Sequence, residues 1–197
     1  NNPAGFATRN DLSIGISYGN RFLLKELSNK DAGILLPINI GTIGISFSQF
    51  GYEHYNENLF GLGLSRSFGQ NLRIGLKLYY MSIRFSEEYE NRSVPTFDLG
   101  IQYQINKSLC LGAYIFNPIN VRIGSLNKDK VPIIMRIGFA YHIVDEFMIC
   151  GEIEENFDDD FSFRFGLEYE VYKNVFVRSG FQLMPCLFTF GIGYDYK

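Results

Sequence analysis

Strict alternation of apolar and polar residues runs through almost the whole of this chain, and it limits the fold more than any other feature. A period of two places successive side chains on opposite faces of an extended backbone, so each such segment is a strand with one apolar face. In Leu72–Tyr79 one face carries Leu72, Ile74, Leu76 and Leu78, and the other Arg73, Gly75, Lys77 and Tyr79. Phe97, Leu99, Ile101, Tyr103 and Ile105 likewise oppose Thr96, Asp98, Gly100, Gln102 and Gln104. Phe161, Phe163, Phe165, Leu167 and Tyr169 oppose Ser162, Arg164, Gly166, Glu168 and Glu170. The last segment sets Phe188, Phe190, Ile192, Tyr194 and Tyr196 against Thr189, Gly191, Gly193 and Asp195.

About twelve segments follow this rule, near residues 12–19, 32–38, 40–49, 58–67, 72–83, 95–105, 109–116, 131–142, 147–154, 160–170, 175–182 and 187–196. None shows helical periodicity with caps, and no run approaches the roughly 20 apolar residues of a spanning helix. Many do reach the length at which a tilted strand crosses hydrocarbon, about 9–11 residues. The expectation is an all-β chain, residues 1–197 forming one antiparallel domain.

Alternation alone fits a soluble sandwich as well as a membrane barrel. Three features favour the barrel. Connections alternate long (20–31, 50–57, 84–94, 117–130) and short (69–71, 106–108, 144–146, 172–174), as short periplasmic turns and longer extracellular loops do. Aromatics gather near strand ends, at Tyr18, Phe68, Tyr80, Tyr103, Tyr141, Tyr169 and Tyr194. Glycines fall on the polar face, among them Gly15, Gly44, Gly75, Gly100, Gly112, Gly138, Gly166, Gly180, Gly191 and Gly193, which predicts a crowded or plugged lumen. In this arrangement the apolar face meets outer-membrane lipid and the polar face lines the lumen. The predicted lumen lining is Arg73, Lys77, Asp98, Arg136, Glu152, Arg164, Glu168 and Arg178, with Tyr79, Tyr114 and Phe116 as apolar exceptions.

Composition narrows the functions. A net charge of −3 without a basic face argues against nucleic acid. Three cysteines, Cys110, Cys150 and Cys186, lack metal-ligand spacing, so no metal and no cofactor is expected, although a Cys110–Cys150 bridge stays open. Only His54 and His142 are available as bases, and neither has a nucleophile or orienting partner in a local motif, so the chain is expected not to be an enzyme. The acidic run Glu152, Glu154, Glu155, Asp158, Asp159 and Asp160 lacks the spacing of a calcium loop and fits a solvated external connection. The connection 21–27 is unusually apolar, with Phe22, Leu23, Leu24 and Leu27, and Leu126 and Met184 add similar character on the same side. Exposed apolar groups of this kind mark contacts with a partner.

Asn2-Pro3-Ala4-Gly5, Phe22-Leu23-Leu24-Lys25-Glu26-Leu27, Asn117-Pro118, Phe165–Tyr169, Val177–Gly180 and Phe190–Tyr194 together resemble the FadL-like PorV/PorQ group of outer-membrane barrels. That resemblance implies a Bacteroidota outer membrane and usually fourteen strands, hence a chain lacking terminal segments. It also implies an accessory role in type IX secretion, in which Phe22, Leu23, Leu24, Leu27, Leu126 and Met184 would touch a large translocon barrel or exported cargo. The alternative it implies is a FadL-like transporter of hydrophobic small molecules, whose ligand would sit inside the barrel.

Overall fold

The computed structural model describes residues 2–20, 24–85, 92–123, 129–157 and 161–195. Twelve strands build one antiparallel sheet in simple chain order. They are β1 (Ser13–Asn20), β2 (Ser28–Ile38), β3 (Gly41–Gly51), β4 (Tyr55–Phe68), β5 (Leu72–Phe85), β6 (Arg92–Gln104), β7 (Leu109–Phe116), β10 (Ile134–Val144), β11 (Phe147–Asn156), β12 (Ser162–Tyr172), β13 (Val175–Leu183) and β14 (Leu187–Tyr194). The two short strands β8 (Arg122–Ile123) and β9 (Asp129–Lys130) form a separate ladder inside the β7–β10 connection. Every neighbour in the large sheet follows its predecessor in sequence apart from that insertion, the meander that hairpin-by-hairpin pairing produces.

The alternation survives intact in the register. Ile74, Leu76 and Leu78 of β5 lie opposite Ile101, Leu99 and Phe97 of β6, while Gly75 and Lys77 on the other face meet Gly100 and Asp98. One face of the sheet is therefore apolar and open to the surroundings: Ile16, Leu62, Leu78, Ile137, Phe165 and Phe190 are all exposed. Such a continuous apolar surface has no place in water and matches the lipid-facing band of a membrane barrel. The expected end aromatics sit on this face as well, with Phe68, Tyr103, Tyr141, Tyr169 and Tyr194 toward the short turns and Tyr18 and Tyr80 toward the other rim.

Two sequence expectations need correction, and the question of a Cys110–Cys150 bridge is answered. Strands extend farther toward the long-loop rim than the apolar pattern does, so the connection after β3, expected over 50–57, shrinks to residues 52–54. Polar cross-strand bonds carry the hairpins past the apolar band: Gln49 Nε2 donates to Asn58 Oδ1 at 3.2 Å, and Ser48 Oγ to Asp31 Oδ1 at 2.6 Å. The strand expected to start at 131 starts at Ile134, because Val131 turns inward. Cys110 and Cys150 are free thiols, each opposite Ala140 but on different sides of it. Two strand spacings of ~4.8 Å separate them, beyond the span of a disulfide.

Within the described residues β1 pairs only with β2 and β14 only with β13, so the sheet is not closed. The strands run in even number, which leaves β1 and β14 antiparallel to each other.

Candidate functional site: a lumen filled from both ends

The inner face is occupied on the side of β3–β7 by two segments of the chain itself. The first is the N-terminal 3-10 turn Pro3–Thr8. Asn2 starts it in the way helix starts are usually capped, its Oδ1 accepting from Ala4 N at 2.9 Å, and Pro3 follows where its fixed φ suits a first turn. The other end of the same amide anchors the turn to the wall. Asn2 Nδ2 donates to the carbonyls of Ile101 (3.2 Å) and Ala113 (2.9 Å), a directly opposed pair on β6 and β7. Ser65 Oγ donates to Ala4 O at 3.0 Å, and Lys77 Nζ lies over the Phe6 ring, 5.8 Å from its centre.

Glycines make room for this turn. A Cβ at Gly44 would stand 2.5 Å from the Phe6 ring, at Gly75 2.4 Å from Pro3 backbone, and at Gly100 1.9 Å from Asn2 Oδ1. Gly61 and Gly63, absent from the list of polar-face glycines drawn from the sequence, meet Lys77 in the same way, at 2.4 and 3.1 Å. The expected plug thus accounts for Gly44, Gly63, Gly75 and Gly100. Gly15 and Gly112 have no such neighbour and face open space or ordinary contact.

The second filling segment is the β7–β10 connection. Its described residues, 117–123 and 129–133, bring Ile123 and Val131 inward against Tyr79 and Phe116, with Leu59, Met81, Ile83, Val94, Tyr114, Val121 and Ile134 around them. Asn117, with no exposed surface, clasps its base. The Asn117 side chain accepts from Thr96 Oγ1 (2.8 Å) and Val121 N (3.1 Å) and donates to Val131 O (2.7 Å). Its backbone stands at φ 54°, a left-handed conformation that asparagine tolerates better than most residues.

Between the two segments sits Asp98, also without exposed surface. Its Oδ2 accepts from Tyr79 OH at 2.8 Å and Tyr114 OH at 3.2 Å, and Lys77 lies directly opposite on β5. A buried carboxylate persists only with such donors and a countercharge.

On the β10–β13 side the remaining predicted lumen residues pair among themselves. Arg164 Nη1 donates to Glu152 at 2.9 Å and Nη2 to Glu154 at 2.7 Å, while Arg136 Nε reaches Glu154 and stacks over Tyr114 at 5.4 Å. Arg178 bonds Glu168. Arg73 faces the lumen opposite Gln102 and is half-buried. All eight predicted lumen residues therefore lie on the inner face, but seven of them fall into three groups and Arg73 stands outside these, so they form no single lining. Glu154, which the alternation also turns inward, bridges Arg136 and Arg164.

Beneath the Arg136–Glu152–Arg164 group lies a recess of about 400 Å³, floored by Gly112, Gly138, Ala140 and Gly166 and flanked by Asn2 and Gln102. That size falls in the range of small-molecule sites. Its lining holds Cys110 and Cys150 as well. Among the described residues no three His, Cys, Asp or Glu side chains are grouped to hold a metal ion.

Of the predicted partner contacts, Leu24 and Met184 are exposed at the long-loop rim and Leu27 is half-buried. Phe22, Leu23 and Leu126 lie outside the described residues, as do Asp158, Asp159 and Asp160 of the acidic run.

No known family's sequence profile matches the chain, and no curated protein matches it by sequence. Solved structures do. A mutant of the TodX monoaromatic hydrocarbon channel superposes on all of this chain and 84% of its own, with a TM-score of 0.67 and 11% identity. A FadL homologue of Pseudomonas aeruginosa covers 92% of this chain and 74% of its own, at a TM-score of 0.63 and 10% identity. The KdgM porin covers 94% and 98%, at 0.57 and 13%. At such identities the likeness is one of fold: this chain has the fold of outer-membrane β-barrels.

Proposed function

We propose that this protein is an outer-membrane channel for small, mainly apolar molecules, taken up in the luminal recess between the N-terminal turn and the Arg136–Glu152–Arg164 group. The recess carries the proposal. Its floor is glycine and alanine, so a ligand meets backbone and methyl groups, and the charges above it are already neutralised by one another. Such a site rewards an apolar body and offers no unpaired charge to a strongly charged solute. Two of the structural neighbours are a FadL homologue and a hydrocarbon channel, which agrees with this reading.

The test uses Gly112. A Cβ there makes only ordinary contacts, the nearest at 3.7 Å, so Gly112→Phe is tolerated by the sheet and puts a ring into the recess. Vesicles containing the native protein are expected to take up toluene or a medium-chain fatty acid faster than empty vesicles. Gly112→Phe should return the rate to that of empty vesicles while the protein keeps its strand content by circular dichroism. Equal rates for native and empty vesicles would overturn the proposal.

A second reading is supported by a separate observation. Leu24, Ile119 and Met184 are exposed apolar side chains on the long-loop rim, where a partner protein would approach. Under this reading the chain is an accessory barrel of type IX secretion, bound to a translocon barrel or to exported cargo. Purification from native membranes in mild detergent should then bring down such a partner in stoichiometric amount, and Leu24→Asp with Met184→Asp should release it. A solitary barrel in the native preparation sinks this second reading.

A further inference from the structure

We infer that the lipid-facing surface of β2–β5, at the rim of the long connections, holds a phosphorylated glycolipid of the surrounding leaflet. Two cross-strand rows on the outer face make the site. The lower row sets Phe47, Phe60 and Tyr80 side by side, each directly opposite the next. Phe47 and Phe60 meet with ring centres 5.8 Å apart, and all three rings are exposed. One step nearer the rim the second row reads Lys30, Gln49, Asn58 and Ser82, again each opposite the next. Arg84 follows Ser82 on the same face of β5, opposite Asn56. A recess of about 470 Å³ lies here, lined by the three rings, the amides of Gln49, Asn56 and Asn58, and the side chains of Ser82 and Arg84.

The chemistry of the two rows matches the two halves of such a lipid. Rings at the edge of an apolar band sit where acyl chains meet headgroups. The amides are fixed by one another: Gln49 Nε2 donates to Asn58 Oδ1 at 3.2 Å, Asn58 Nδ2 to Asn56 Oδ1 at 2.7 Å, and Asn56 Nδ2 to Tyr52 O at 3.4 Å. Each amide nitrogen carries a second hydrogen, which a sugar hydroxyl can accept. The charges are sorted by face. Asp31 and Glu57 point to the lumen, where Asp31 accepts from Ser17, Asn29 and Ser48, and Glu57 from Tyr55. The outward positions of β2–β5 near this rim therefore carry Lys30 and Arg84 and no carboxylate, while Glu26 and Glu53 stand in the turns beyond the strands. A guanidinium and an ammonium at headgroup depth attract phosphate. They lie three strand spacings of ~4.8 Å apart, so a headgroup with a phosphate at each end engages both.

The site rests on the membrane-barrel fold alone and not on the channel reading. Native mass spectrometry of the protein in dodecyl maltoside counts retained lipid, with diphosphoryl lipid A, fully dephosphorylated lipid A and phosphatidylglycerol as probes. Diphosphoryl lipid A should be retained at concentrations where the other two are lost. Lys30→Gln and Arg84→Gln should each raise its half-occupancy concentration about fivefold, and together about twentyfold or more, the effect of one cation each at a membrane surface. Arg66→Gln removes the same charge from the outer face at the opposite rim and should leave the value unmoved. All three side chains are exposed, and circular dichroism checks that the strands persist in each variant. Equal retention of dephosphorylated lipid A or of phosphatidylglycerol would overturn the inference. So would a shift with Arg66→Gln as large as with Arg84→Gln.

Discussion

Replacing Asp98 with alanine is expected to destabilise the folded protein by about 2–5 kcal/mol, because two buried hydroxyl donors lose their acceptor. The geometry explains why the loss is large. Asp98 has no exposed surface, and its Oδ2 is the acceptor for both Tyr79 OH and Tyr114 OH. Alanine leaves two buried phenol donors without that acceptor, each costing about 1–3 kcal/mol, and removes the carboxylate opposite Lys77. Tyr79 is also the ring on which the inward connection rests, packed edge-on to Phe116 at 5.6 Å. Asp98→Asn keeps one acceptor oxygen, the number that the two hydroxyls use, and should recover more than half of the loss. Equilibrium unfolding by guanidinium in lipid vesicles measures both variants. If Asp98→Ala unfolds within about 1 kcal/mol of the native protein, the carboxylate is not the hub described here.

The sheet was legible in the sequence because an apolar outer face recurs in strand after strand, with Arg66 of β4 and Ser179 of β13 among its few departures. Ile74, Leu76 and Leu78 point one way and Arg73, Gly75 and Lys77 the other, and a one-residue slip would exchange them. Register, strand order and the assignment of Arg136, Arg164 and Glu152 to the inner face all follow from that. The luminal aromatics Tyr79, Tyr114 and Phe116 were visible as breaks in the rule, but not what they pack against. Their partners Val121, Ile123 and Val131 lie in a connection whose inward course depends on Asn117 meeting Thr96 and Val131, contacts between residues far apart in sequence. Strand ends were misplaced for a local reason. Polar hairpin rims such as Gln49 with Asn58 have no apolar face to reveal them. The pairing within the lumen charges was equally hidden, since alternation assigns Glu154 and Arg164 to a face without saying that they meet.

Gly100→Val is expected to expel the N-terminal turn from the lumen while leaving the sheet folded, and to open a wider conducting path. The steric argument is direct. The first added atom would stand 1.9 Å from Asn2 Oδ1 and 2.8 Å from Pro3, closer than atoms approach without displacement. The wall cannot give way, because Gly100 is held between Gly75 on β5 and Tyr114 on β7. The turn can, because its described polar ties are few: the Asn2 amide to Ile101 and Ala113, and Ser65 to Ala4. Those bonds are worth about 1 kcal/mol each, less than the overlap they would have to withstand. Valine itself suits a strand, so the substitution carries no penalty for β5–β6–β7 pairing. Planar bilayers should show a larger single-channel conductance for Gly100→Val than for the native protein, and protease should remove the first residues of the variant alone. Asn2→Ala with Ser65→Ala, which cuts the same ties without adding bulk, should move both readouts in the same direction. Unchanged conductance and an uncut N-terminus in Gly100→Val would mean that the turn does not occupy the lumen, and Gly44, Gly63, Gly75 and Gly100 would need another explanation. If the turn leaves but conductance stays low, the remaining barrier is the inward β7–β10 connection, the other segment that fills this side of the lumen.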